Sequence, residues 1–138
     1  MKQAIYFLPG TMCDDRVWHS VWQELSEQIH PQHIAIPMSN NIPQIRNQLA
    51  KELPEQDLHL VGFSLGGYLA MDFAIHHSQR LASLTIIAAN PNGLTGNEKR
   101  QRSQIINNIR QKGYGGISLL RARQFIHPSQ QQNHTLLG

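Results

Sequence analysis

The sequence predicts an α/β protein built on a parallel sheet of about four strands with helices on both sides. Three observations carry this. Short apolar runs and helix-spaced runs alternate four times as far as Ala89. The strand-like runs are apolar at nearly every position, as expected of strands buried on both faces. The string Gly62-Phe63-Ser64-Leu65-Gly66 falls where the third of these runs passes into a helix.

Ala4 to Leu8 is the first apolar run, and Pro9-Gly10 closes it, so a buried strand ending in a turn is expected. From Arg16 the period becomes helical: Val17, Trp18, Val21, Trp22, Leu25 and Ile29 share one face, with Asp14 or Asp15 placed to cap. His33 to Ile36 reads as the second strand. Ile42, Ile45, Leu49 and Leu53 mark the next helix, with Asn41 as its cap, Pro43 in its first turn and Pro54 beyond its end. Leu58 to Phe63 is the third strand, Gly66 to Ser78 a helix, and Leu81 to Ala89 the fourth strand. Beyond Asn90-Pro91 the text turns helical without further strands. Thr95 and Glu98 have capping-box spacing, Gly113 to Gly116 breaks the helix, and a shorter one spans Ile117 to His127. The expected division is residues 1–92, an α/β core, and residues 93–138, a helical segment.

Composition narrows the class. The chain has 138 residues, 40% apolar and 15% charged, which suits one globular domain without disulfides or a structural metal. A single cysteine, Cys13, rules out an internal disulfide and leans towards a reducing, cytoplasmic setting; a packing role is expected for it. The opening apolar run is too short for a secretory core, and no stretch approaches the roughly 18 apolar residues of a membrane span. Net charge is +3 but uneven: residues 1–92 carry −3 and residues 93–138 carry +6. The basic residues of the second part are scattered and lack interleaved aromatics, so neither nucleic acid nor a membrane is expected as a partner. His30-Pro31-Gln32-His33 offers two imidazoles without a third ligand, so no metal is expected, nor any cofactor.

The chemistry centres on Ser64. A sharp strand-to-helix turn forces a residue there into strained backbone, and small residues must flank it so that strand and helix approach. Such a turn lifts the Ser64 hydroxyl above the sheet's C-terminal edge and aims the Leu65 amide, at the helix N-terminus, into the same space. The loop Pro9-Gly10-Thr11 follows the first strand, and its amides, that of Thr11 foremost, would complete a two-donor anion site. The competing reading is an ordinary glycine-rich turn with a surface serine, and a plain tight turn after the first strand.

Together these residues resemble the α/β-hydrolase family, in particular small bacterial carboxylesterases and related acyl hydrolases. The resemblance runs through Leu8-Pro9-Gly10-Thr11-Met12-Cys13-Asp14 with Trp18, Val61 to Tyr68, Arg80-Leu81, and the helical stretch from Thr95 to Pro128. It implies a truncated α/β-hydrolase fold, with Ser64 as nucleophile, Leu65 and Thr11 as oxyanion-hole donors, and residues 93–138 as the start of a lid. It implies a small acyl-ester-like substrate.

A serine needs a base, and the base needs a carboxylate; in this family the order is Ser, then Asp or Glu, then His. After Ser64 the acidic residues are Asp72 and Glu98, and the histidines are His76, His77, His127 and His134. Asp72 lies two turns into the helix, Glu98 fits a cap, and His76 and His77 sit where a cation suits a helix C-terminus. None has the required placement, so the acid and His of the triad are expected outside this chain, and the isolated chain is expected to be inactive or strongly impaired. The alternative is a non-catalytic remnant that binds an acyl ligand or a partner. Leu84 to Ala88 would form an unpaired apolar edge, inviting self-association or a complementary C-terminal fragment.

Overall fold

The computed structural model describes residues 1–133. These fall into two compact units, Met1–Gly93 and the residues from Leu94 onward. The first unit holds a four-stranded sheet in the order β2-β1-β3-β4, all parallel, formed by β1 (Gln3–Leu8), β2 (Ile29–His33), β3 (Leu58–Phe63) and β4 (Leu81–Ile87). Three helices belong to it: α1 (His19–Gln23), α2 (Ile42–Glu52) and α3 (Leu65–His76).

The core lies on the α2 and α3 side of the sheet. Leu8, Leu58 and Leu60 from the strands meet Ile45, Leu49, Leu69, Ala70 and Phe73 from the helices, all buried. Full burial of such side chains contributes roughly 1.5–3 kcal/mol each, which is what fastens the two helices to the strands. A bidentate ion pair reinforces this: Arg46 Nε and Nη2 on α2 donate to the Asp72 carboxylate on α3 at 2.7 and 3.0 Å. The opposite face of the sheet is covered by aromatic rings. Trp18 packs edge-on to Phe7, with centroids 5.0 Å apart, and to Phe63 at 6.2 Å, while Trp22 meets Phe7 at 5.7 Å.

Several elements depart from the sequence reading. The helix expected from Arg16 to Ile29 is a 3-10 turn, Asp15–Trp18, capped by Asp14, followed by the short α1. Ile29, read as its last apolar position, is instead the first residue of β2, opposite Gln3. The second strand therefore ends at His33, where the expected run to Ile36 begins, and contains Pro31. A proline is tolerated there because β2 is an edge strand. Gln28 O and Ile34 N–H bond to β1, so by alternation the nitrogen of Pro31 faces away from it, where no ladder bond is lost. β4 ends at Ile87 rather than Ala89, since Ala88 takes φ 52° and turns the chain out of the sheet. Cys13 is exposed, so it packs no core.

The second unit is helical. Within it, α4 (Gly96–Lys112) opens on Thr95, whose hydroxyl accepts from Glu98 N–H while the Glu98 carboxylate accepts from Thr95 N–H at 2.7 Å. Gly113 and Gly116, at φ 77° and 83°, end the helix. α5 (Leu119–Arg123) is shorter than expected, and His127 caps the 3-10 turn Pro128–Gln130. Among the described residues no helix is long and apolar enough to cross a membrane. His134 lies outside the described residues.

Candidate active site

Ser64 occupies the single residue between β3 and α3, with φ 53° and ψ −115°. A non-glycine residue at positive φ costs on the order of 1–3 kcal/mol, which the surroundings must hold in place. They do so with backbone bonds: Ser64 N–H donates to Ile87 O at 2.9 Å, and Tyr68 N–H donates to Ser64 O at 3.1 Å. The hydroxyl makes no cap bond to the helix it precedes. Ser64 is thus anchored through its main chain, with its side chain left uncommitted.

The glycines explain how strand, helix and loop come so close. A Cβ on Gly62 would stand 2.8 Å from Gly67 Cα, and one on Gly66 would run into the carbonyl oxygens of Leu8 and Pro9. A Cβ on Gly67 would lie 2.8 Å from that of Ala89. None of these contacts can be made by a larger residue without moving backbone.

The loop after β1 meets the same spot. Gly66 N–H donates to Pro9 O at 3.0 Å, and the position of a Cβ on Gly10 is 3.4 Å from Ser64 Cβ. Cys13 N–H closes a turn onto Gly10 O at 3.2 Å, with Met12 at φ 59°. Thr11 follows Gly10 directly and is exposed at this turn. The amides of Thr11 and of Leu65, the first residue of α3, have no acceptor among the described residues. The structure therefore brings Ser64, Leu65 and the Gly10-Thr11 segment into one corner above the C-terminal ends of β1 and β3. Pro9 O and Gly10 brace this corner, a role beyond the amide donors for which the sequence reading named the Pro9-Gly10-Thr11 loop.

No described histidine bonds the Ser64 hydroxyl. His19 pairs with Asp15 at 3.2 Å, His30 with the Gln32 side chain, His59 with Ser83 at 2.7 Å and His127 with Ser129 at 2.8 Å. His76 Nδ1 lies 2.8 Å from the Asp72 carbonyl oxygen. His77 stacks on Phe73 at 4.7 Å between centroids. Desolvation, with Arg80 and Arg46 adding to it, pushes the His77 pKa below its ordinary value, which argues against the cationic role expected at that helix end. Buried His33 Nε2 has no partner among the described residues. Asp72 is committed to Arg46 and Glu98 to Thr95, whose N–H and hydroxyl hold the Glu98 carboxyl below the usual range.

Comparison with known proteins gives this corner a context. The family model for the alpha/beta hydrolase fold matches residues 40–127. A pimeloyl-[acyl-carrier protein] methyl ester esterase of Aeromonas hydrophila is 31% identical over 97 residues, covering 63% of this chain and 38% of that protein. The Vibrio vulnificus protein of the same name is 30% identical over 84 residues, covering 52% and 32%. The chain thus spans well under half the length of these curated relatives. Among solved structures, a thermophilic esterase from Thermogutta terrifontis superposes with a TM-score of 0.66 at 22% identity, over 98% of this chain and 54% of that one, a likeness of fold. Because the family match takes in more than half of its residues, including the whole Ser64 turn, this chain belongs to the α/β-hydrolase fold family.

Proposed function

We propose that this chain carries the nucleophile half of a serine hydrolase acting on a carboxylic ester or related acyl substrate. The observation that supports it most is the strained Ser64 turn, φ 53°, held beside Gly10 with two uncommitted amides next to it. In this reading Ser64 Oγ attacks the ester carbonyl carbon and gives up its proton to a base. The Leu65 and Thr11 amides donate to the oxyanion that forms, each worth about 2.7–4 kcal/mol to the transition state. Collapse of the tetrahedral intermediate breaks the bond to the leaving alkoxide, which takes the proton from the base. Water then releases the acyl group by the same route reversed.

The base and its carboxylate come from polypeptide outside this chain, and residues 93–138 begin the lid segment. The names of the esterase relatives support an ester as substrate class, and a cytoplasmic setting agrees with the single cysteine. Alone, the chain is inactive or strongly impaired: loss of the histidine in another serine hydrolase removes about 10⁶ from kcat. A second reading, a non-catalytic remnant that binds an acyl ligand or a partner, draws on the finding that no described imidazole bonds the Ser64 hydroxyl.

The test is turnover of p-nitrophenyl butyrate and labelling by a fluorophosphonate, each with and without a C-terminal hydrolase fragment that carries an Asp and a His. Gain of turnover and labelling on mixing, abolished by Ser64→Ala, is expected. Turnover unaffected by Ser64→Ala refutes Ser64 as nucleophile. Saturable binding of the ester with no turnover in any mixture favours the second reading.

A further inference from the structure

Phe63, the residue before Ser64, turns its ring away from the main core. Along β3 the side chains of Leu58 and Leu60 enter the core on the α2 and α3 side, so by alternation Phe63 lies on the opposite face, with Trp18. There it meets the loop after β1 at both ends. At the near end, a Cβ on Gly10 would stand 3.0 Å from Cδ1 and from Cε1 of the Phe63 ring. At the far end, Trp18, buried at the close of the 3-10 turn, packs edge-on to the same ring with centroids 6.2 Å apart.

The backbone of Gly10 does not require a glycine, since its φ is not positive. Room is what the missing side chain supplies: the Phe63 ring takes that space, and Ser64 Cβ stands 3.4 Å from the same point. Gly10 is buried, whereas the next four residues, Thr11 to Asp14, are exposed. The bonds of this stretch close the loop on itself. Cys13 N–H donates to Gly10 O at 3.2 Å, Cys13 Sγ to Thr11 O at 3.5 Å, and Asp14 Oδ1 accepts from Arg16 N–H at 3.1 Å. None of these bonds sets the turn relative to Ser64. Its ends do that: Pro9 O is held by Gly66 N–H, and the ring of Phe63 carries both Gly10 and Trp18.

We propose that Phe63 is a positioning residue for the anion site: its ring, backed by Trp18, holds Gly10 at the distance from Ser64 at which the Thr11 amide reaches the oxyanion. This rests on the reading of Thr11 N–H as an oxyanion donor. A smaller side chain at residue 63 opens a gap beside Gly10, and the exposed turn moves into it. A misplacement of about 1 Å can cost about 10²-fold in rate. The oxyanion forms only beyond the ground state, so the loss falls on kcat and not on KM.

Two readouts test this separately: backbone relaxation by NMR on the isolated chain, and turnover of p-nitrophenyl butyrate in the mixture with a C-terminal hydrolase fragment that carries an Asp and a His. In the wild type, Thr11 and Cys13 are expected to have rigid order parameters, near about 0.85, and in Phe63→Leu to fall below about 0.6. The same variant is expected to lose about 10²-fold in kcat with KM little changed. Phe63→Tyr, which keeps the flat ring, is expected to restore both. Trp22→Leu alters the same face, where Trp22 packs on Phe7 and His19, and is expected to lower the melting temperature while leaving both readouts alone. If Phe63→Leu fails to fold, Phe63→Met, closer in volume but without a flat ring, is read in its place.

A flexible Thr11 in the wild type overturns the proposal. So does a folded Phe63→Leu chain whose loop stays rigid, a loop that loosens without a change in kcat, a loss that Trp22→Leu shares, or a loss confined to KM. A wild-type mixture without Ser64-dependent turnover refutes the hydrolase reading instead, and the order parameters then decide by themselves whether Phe63 holds the loop.

Discussion

The amide of Gly66 donates to the carbonyl oxygen of Pro9 at 3.0 Å, tying the first turn of α3 to the loop after β1. That bond exists only because residue 66 lacks a side chain, since a Cβ there would collide with the Leu8 and Pro9 carbonyl oxygens. Gly66→Ala is therefore expected to destabilise the fold by more than about 4 kcal/mol, in the range reserved for backbone collisions. Urea denaturation provides the measurement. Gly115→Ala, with open space around it, is the matched control and should change little.

Ser64 stands at φ 53° for reasons of placement, not stability. Ser64→Gly should relieve strain and raise stability by about 1 kcal/mol, after the entropic cost of an added glycine. In the mixture with a C-terminal hydrolase fragment, the same change removes Ser64-dependent labelling and turnover. Ser64→Ala should keep the strain and lose the reactivity, so comparing the two variants by thermal melting separates conformation from chemistry.

Asp72, the first acidic residue after Ser64, serves in architecture through its two bonds from Arg46. Asp72→Asn is expected to lower the melting temperature by weakening the α2–α3 junction. Mixed with a C-terminal hydrolase fragment, it should leave Ser64-dependent turnover intact below the transition. Loss of turnover with unchanged melting would show instead that the carboxylate takes part in the chemistry.

His77 gives a pH signature. Its folded pKa is lowered, chiefly by desolvation and then by Arg80 and Arg46, so the folded state binds this proton less readily than the unfolded chain. Its contribution to stability is complete above the ordinary value of 6.5 and is lost as pH falls through the lower folded value. Asp14 and Glu98 are also lowered, from 3.8 and 4.5, and act in a more acidic window. Melting temperature followed from pH 8 downward should begin to fall near neutrality, and His77→Gln should flatten that first limb while leaving the acid limb. The slope is the readout, because losing the ring over Phe73 shifts the baseline as well.

Much of the site was readable because its constraints are local. The run Leu58 to Phe63 followed by Ser64 and Gly66-Gly67 announces a strand, a turn and a close-packed helix start within a dozen neighbouring positions, and each element forms where its pattern lies. The helix cap at Asn41 and the capping box of Thr95 with Glu98 were legible for the same reason. The second strand was not. Its text, Ile29-His30-Pro31-Gln32-His33, is polar and holds a proline, and only its position at the sheet's edge makes that acceptable.

By itself, then, the order of residues determined a parallel α/β unit, the strained turn at Ser64 and the change to helical text beyond Asn90. Periodicity and glycine spacing act over one element at a time, and those are the distances at which sequence patterns speak. The strand order β2-β1-β3-β4, the approach of Gly10 to Ser64 Cβ and the claim of Arg46 on Asp72 were decided by tertiary structure. Each depends on which distant segment arrives alongside, a choice made by burial and hydrogen bonding over the whole unit rather than by any residue's neighbours in the chain.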